Sequence, residues 1–269
     1  MAMASPANLH ASGDDILTVC AISVLAAMLA SVLHEGVGHA AIALLTGAPS
    51  GILTAVAWSS EYDSRLVAAG GTLVNLAAAG LSMALLRGAK GASVRTRYFL
   101  LLSMAFNLFD GTGYFFFSGV TDFGDWARVI EGMNPHWLWR GLLVVIGVAA
   151  YYGAVLIVGR GFVRDLGIPT GDRSRLRRLT LLPYLSAIGI VGLAGALNPI
   201  SIRLVWQSAL PATAGANSGL LWFHHYLPKE IVPLRAGEEI SRNYRWISVA
   251  VVAALVYVVI VGHGMTLSQ

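Results

Sequence analysis

Long apolar stretches alternate with short polar connections along this chain, and that alternation sets the elements before any single residue is weighed. A bilayer core takes about 20 apolar residues of helix. Six stretches reach or approach that length, at 16–45, 66–86, 98–117, 141–158, 179–197 and 247–262. Residues 198–246 are too polar and too often broken by Pro for one clean span, and their apolar part, 200–223, reads as a seventh span, a re-entrant segment or an amphipathic cap. The run SGILTAVAWSSEY at 50–62 is too short to cross; its β-branched and aromatic residues suit a strand, and a plain surface loop fits equally. The pattern predicts an all-α polytopic membrane protein of about six transmembrane helices, with a short membrane-associated β segment near 50–62. Three regions follow: a tail at 1–15, a three-span core at 16–117, and a C-terminal transmembrane region at 118–269 of about three spans with a long loop at 198–246.

Composition sharpens this picture. Of 269 residues 56% are hydrophobic and only 12% charged, about half the charge of a soluble domain, which leaves too little polar surface to face water all round. The net charge of +4 does not point to nucleic acid, because the basic residues sit in short loops between apolar runs. Arg87, Lys90, Arg95 and Arg97 follow the second stretch, and Arg160, Arg164, Arg173, Arg175, Arg177 and Arg178 follow the fourth. The positive-inside rule then puts the N-terminus in the cytoplasm and 47–65 and 118–140 outside, for a multi-pass protein expected in the cell membrane. Residues 1–15 lack a basic residue before the apolar run, so no cleaved signal peptide is expected. The lone Cys20 forms no disulfide framework.

The first stretch carries ASVLHEGVGHAAIALLTG, with His34, Glu35 and His39 inside apolar sequence. Ionisable groups in hydrocarbon are costly and mark function by default. Two His and an adjacent Glu suggest the H-E-x-x-H zinc arrangement, in which His binds metal and Glu is the general base. Here the spacing is H-E-x-x-x-H. On an α-helix, residues four apart diverge by about 40° and residues five apart by about 140°, so His34 and His39 converge only if a π-bulge absorbs one residue. Gly36 and Gly38 give the backbone that freedom. A catalytic zinc takes three protein ligands and an open position, and Asp110, a carboxylate deep in SMAFNLFDGTGYFF, is the outstanding third candidate. Asn107, three residues earlier on the same helical face, is placed to orient it; a helix cap near Gly111 and Gly113 is the plainer reading of Asp110.

The hexapeptide resembles in spacing the zinc motif of the dipeptidyl-peptidase III family. In order and arrangement the motifs resemble the site-2 protease family of intramembrane zinc metalloproteases. His34, Glu35 and His39 match its first motif, Asp110–Gly111 its second, and Gly71 and Asn75 in AAGGTLVNLAAAG the Gly-Pro-x-x-Asn pattern between them. The resemblance covers about residues 16–117. It departs in the His spacing, in Thr72 where the family has Pro, and in a shortened run Asn107-Leu-Phe-Asp110. It implies zinc held by His34, His39 and Asp110, Glu35 as general base, Asn75 catalytic through the substrate backbone or oxyanion, and a membrane-protein substrate. Alternatives are a metal-dependent membrane oxidoreductase or lipid hydrolase on the same ligands, and a non-catalytic metal-binding or scaffolding relative.

Other features rank lower. Asp122 and Asp125 follow the third stretch, near enough to reach the mouth of the site, and read more readily as solvated loop acids. His224 and His225 read as interfacial, because seven His in all are too few for the histidine boxes of membrane di-iron enzymes. Trp126, Trp137, Trp139, Trp206, Trp222 and Trp246 fit an interfacial belt. Nothing resembles a Walker loop, a dinucleotide fingerprint or a Ser/His/Asp array.

Overall fold

The computed structural model describes residues 13–89, 91–227, 231, 234 and 236–269. The tail expected at 1–15 lies outside these up to residue 12, as do Lys90 and Pro228. Among the described residues six helices are long and apolar enough to cross a membrane: α1 (Ile16–Thr46), α2 (Arg65–Gly88), α3 (Val94–Thr121), α5 (His136–Arg164), α6 (Arg173–Ala196) and α7 (Tyr244–Val261). A short helix, α4 (Asp125–Val129), lies between α3 and α5. The chain is thus a multi-pass integral membrane protein. Several helices begin before the apolar stretch itself because a polar residue caps them. Asp15, Ser64, Ser93, Asp172 and Asn243 each accept a hydrogen bond from a backbone N–H of the first turn, satisfying donors that a helix start leaves orphaned.

α3 is the most enclosed span, with 61% of its apolar window buried, against 11% for α7. Its Tyr98, Leu101, Leu102, Phe106 and Phe109 form the centre of the core with Ile22 of α1, Phe162 of α5 and Leu179 of α6. In lipid such packing, and not water exclusion, holds helices together. Val145 and Val148 of α5 and Val251 and Val252 of α7 stay exposed, as the lipid-facing side of a bundle requires.

Two tethers reveal a seventh crossing. α6 ends on one face, where Asn198 Nδ2 donates to Thr54 Oγ1 at 3.1 Å. α7 begins on the other, where Arg242 pairs with Asp15 at 2.9 Å and the Asn243 N–H donates to Thr18 Oγ1 at 3.0 Å. The chain between must therefore cross, and of the three readings of 200–223 the structure has the span. It is an irregular one, broken at Pro211 into π turns at Val205–Ala209 and Pro211–Gly215 and a 3₁₀ turn at Ala216–Ser218. Such backbone survives at membrane depth only where protein satisfies it. Tyr151 donates to the Ala216 carbonyl and accepts from Gly219 N–H, while Tyr184 donates to the Ala214 carbonyl at 3.1 Å.

The β segment is real and larger than expected. β1 (Ser50–Leu53) and β2 (Trp58–Ser59) form a hairpin, and β3 (Met265–Ser268), which sequence did not single out, pairs antiparallel with β1 to give the order β2-β1-β3. Ser50 lies opposite Ser268 and Ile52 opposite both Ser59 and Thr266. The sheet shares its face of the bundle with Arg65, Arg128 and Arg140. On the opposite face Arg175 clasps Asp14 through two 2.8 Å bonds, and Arg97 meets Glu238 at 3.0 Å.

Candidate metal centre

Residues Leu33–Ala41 of α1 form a π-helix, in which residues five apart become neighbours. The extra residue in the motif is absorbed there. His34 and His39 lie side by side, buried, with ring centroids 4.8 Å apart and their Nε2 atoms 3.2 Å apart. Glycine makes room beneath them. α1 crosses α2 where Gly38 meets Gly70 and Gly71, and a Cβ on Gly38 would lie 2.7 Å from the Gly71 nitrogen. A Cβ on Gly71 would stand 2.5 Å from His39 Nε2 and 2.6 Å from His34 Nε2, so the bare backbone of α2 is the floor of the site.

The outer ring nitrogens identify the protons. His39 Nδ1 lies 2.7 Å from the Val67 carbonyl, and His34 Nδ1 lies 2.7 Å from Asn75 Oδ1. Both partners only accept, so both Nδ1 atoms donate, and in the neutral rings the two Nε2 lone pairs are aimed inward. This is how a metal-binding imidazole is held from behind.

The third group is Asp125. Its Oδ2 lies 3.2 Å from His34 Nε2 and 3.4 Å from His39 Nε2, and it is buried without a hydrogen-bond donor. Gly124, at φ +84°, turns the chain back over the helix ends, and Asp125 opens α4. Trp126 fastens that turn: its Nε1 donates to Thr72 Oγ1 of α2 at 3.0 Å, and its ring lies 4.5 Å from Phe115. Thr72 thus has a partner across the two elements.

These distances test the fit of a metal. A tetrahedral zinc with bonds near 2.0–2.1 Å sets its ligand atoms about 3.3 Å apart. The triangle Nε2, Nε2, Oδ2 has edges of 3.2, 3.2 and 3.4 Å. Two imidazole nitrogens and a carboxylate oxygen at that spacing suit a metal cation when both rings are neutral.

The other predicted residues fall as follows. Asp110 is not in the triangle: it lines a small cavity of ≈ 30 Å³ with Ser31, His34, Glu35 and Asn217, its Oδ1 buried without a partner. Tyr114, one turn further along α3, stacks its ring on the face of His34 at 4.8 Å. Asn107 donates to the Ser103 carbonyl and accepts from Asn75, so its amide is engaged away from Asp110. Asn75 is held between His34 and Asn107. Asp122 pairs with His136 at 2.9 Å and Arg140 at 3.5 Å. His224 and His225 lie against each other with rings tilted by 38°, beyond Phe223, which stacks on Phe162 near the far end of the bundle; the structure does not bring them to His34. Asp125, read more readily from sequence as a solvated loop acid near the mouth of the site, is brought to the two imidazoles.

Glu35 is buried beside the triangle and lines a cavity of ≈ 610 Å³ together with His39, Trp58, Tyr114, Asp125 and Ser208. That cavity extends to Asp63, Arg128 and His136 on the sheet-bearing face, giving water a polar way to the centre. No protein family, curated protein or solved structure matches this chain, so its own geometry carries the functional reading.

Proposed function

We propose that this protein is an intramembrane zinc endopeptidase, hydrolysing a peptide bond in or near a membrane-spanning substrate. The observation that carries the reading is the triangle of His34, His39 and Asp125 beside Glu35. Zinc, when bound, brings the pKa of its water to about 7 and polarises a carbonyl. His34, His39 and Asp125 would hold it. Glu35 accepts the proton of the attacking water and returns it to the leaving amine. Tyr114 forms a wall shared by the site and the polar cavity, and the segment through Trp58 lines the approach. The basic face, with the N-terminus, lies in the cytoplasm of a cell-membrane protein, and the centre opens towards the opposite face.

One observation favours a second reading, a lipid hydrolase on the same ligands. An apolar cavity of ≈ 450 Å³, lined by Gly113, Phe116, Val148, Tyr152 and Trp222, reaches the other side of Tyr114. Metal analysis and Glu35→Gln test both readings: one zinc per chain is expected, and the variant keeps zinc while losing cleavage of a membrane-protein substrate. Loss of lipid hydrolysis in place of proteolysis selects the second reading. A Glu35→Gln protein that still cleaves removes Glu35 as the base, and a wild-type protein without metal removes both.

A further inference from the structure

Behind His34 runs a chain of side-chain amides that ends on a backbone carbonyl, and that end sets the direction of every hydrogen bond in it. Asn107 Nδ2 donates to the Ser103 carbonyl of α3 at 2.8 Å. Only the nitrogen of an amide can face a carbonyl, so Asn107 Oδ1 is turned to α2, where it accepts from Asn75 Nδ2 at 2.9 Å. Asn75 Oδ1 is in turn left facing α1, where it accepts from His34 Nδ1 at 2.7 Å. Both amides are fully buried, so no bulk water is at hand to satisfy an inverted one. Inverting either would set like groups face to face at both of its contacts, and an unpaired buried donor or acceptor is far costlier than a bond is worth.

We propose that Asn107, which touches neither metal ligand, is a positioning residue that sets the tautomer of His34 through Asn75. The Ser103 carbonyl makes Nδ1 keep its proton, so that the neutral ring presents its Nε2 lone pair to the triangle. The two imidazoles differ in this respect. His39 takes its orientation directly from the Val67 carbonyl, which no side-chain substitution removes. His34 depends on two amides, and once Asn107 is lost Asn75 is free to turn its Nδ2 to the ring, which strips Nδ1 of its proton and puts one on Nε2. The function of this relay rests on the metal reading above, whereas the proton placement does not.

The test uses full-length, metal-free protein labelled with [15N]histidine, with the His34 signal assigned by its loss in His34→Gln. At a pH where the ring is neutral, wild type shows a protonated Nδ1 and an unprotonated Nε2 at His34. Asn107→Leu loses that signal and binds zinc about 10–100-fold more weakly in chelator competition. Asn107→Asp keeps both, because a neutral carboxyl donates through O–H to Ser103 and accepts from Asn75 as the amide does. An unprotonated Nδ1 in wild type overturns the proposal without any variant having to fold. So does an Asn107→Leu protein that retains signal and affinity, or an Asn107→Asp protein that falls as far as Asn107→Leu, which would make position 107 a matter of packing. A wild-type protein with the Nδ1 proton that binds no zinc supports the relay and sinks the metal reading instead.

Discussion

Gly71→Ala adds one methyl group to the floor of the metal centre. The new carbon would stand 2.5 Å from His39 Nε2 and 2.6 Å from both Nε2 and Cε1 of His34. Optimal non-bonded contact lies near 3.5–4.0 Å, so each imidazole has to retreat by about 1 Å. Neither can do so in place, because each is held from behind by a 2.7 Å bond at Nδ1. Overpacking of this kind costs about 1–3 kcal/mol, which is about 5–150-fold in a binding constant if the strain falls on the site. Displacing two of three ligand atoms, whose present spacing is 3.2 Å, adds to that loss, and zinc affinity is expected to fall at least about 100-fold. The assay is chelator competition on purified protein, with zinc per chain by mass spectrometry and thermal unfolding with and without zinc. Gly80→Ala, on the same helix but with nothing within 4 Å of the new carbon, is the control and should bind as wild type. A Gly71→Ala protein that binds zinc with wild-type affinity would refute the reasoning, because the ion would then not sit between the two Nε2 atoms.

Three further outcomes are expected. Asp125→Asn should lose zinc while Asp110→Asn keeps one per chain; the reverse result in metal analysis would return the third ligand to α3. Trp126→Phe removes the bond to Thr72, worth about 1 kcal/mol, and should weaken zinc about fivefold; Thr72→Val should match it, and the double variant should be no worse, as a double-mutant cycle would read. Asp15 caps α1 from outside the membrane: burial pushes its carboxyl up, but hydrogen bonds from Thr18 and the Arg242 cation outweigh this and lower it below its ordinary value. A depressed carboxyl contributes stability above its unfolded value of about 3.9 and loses it as pH falls through the folded value. The unfolding temperature gap between wild type and Asp15→Ala should therefore be full near pH 6 and close in acid, and a gap that widens on acidification contradicts the assignment.

What could be read from sequence follows from where polar groups are rare. His34, Glu35 and His39 stand out because hydrocarbon surrounds them, and their spacing demanded the π-helix that α1 contains. Asp110 stood out for the same reason, and the structure places it in a small cavity beside His34 and Glu35 and outside the triangle. Asp125 lay in a loop, where an acid is ordinary, and only the Gly124 turn and the Trp126–Thr72 bond carry it to the imidazoles. The seventh crossing was obscured by Pro211 and its π turns, since its backbone is satisfied by tyrosines from α5 and α6 and not by an uninterrupted helix. β3 is four residues of no marked character that become a strand only because β1 offers an edge.

The pairing of β1 with β3 also puts a clock on the protein. Ser50 and Ser268 face each other across the ladder, and 268 − 50 = 218 residues of synthesis separate them. At about 5–20 residues per second, the strand that follows the histidine-bearing helix waits about 10–45 s for its partner. Tyr257 of α7, which shares a 2.7 Å bond with Ser31 one turn before His34, arrives just as late. Until then the helix that carries His34 and Glu35 lacks the neighbour that closes it on that side. A nascent chain thus carries His34, Glu35 and His39 before it has the strand and helix that enclose them.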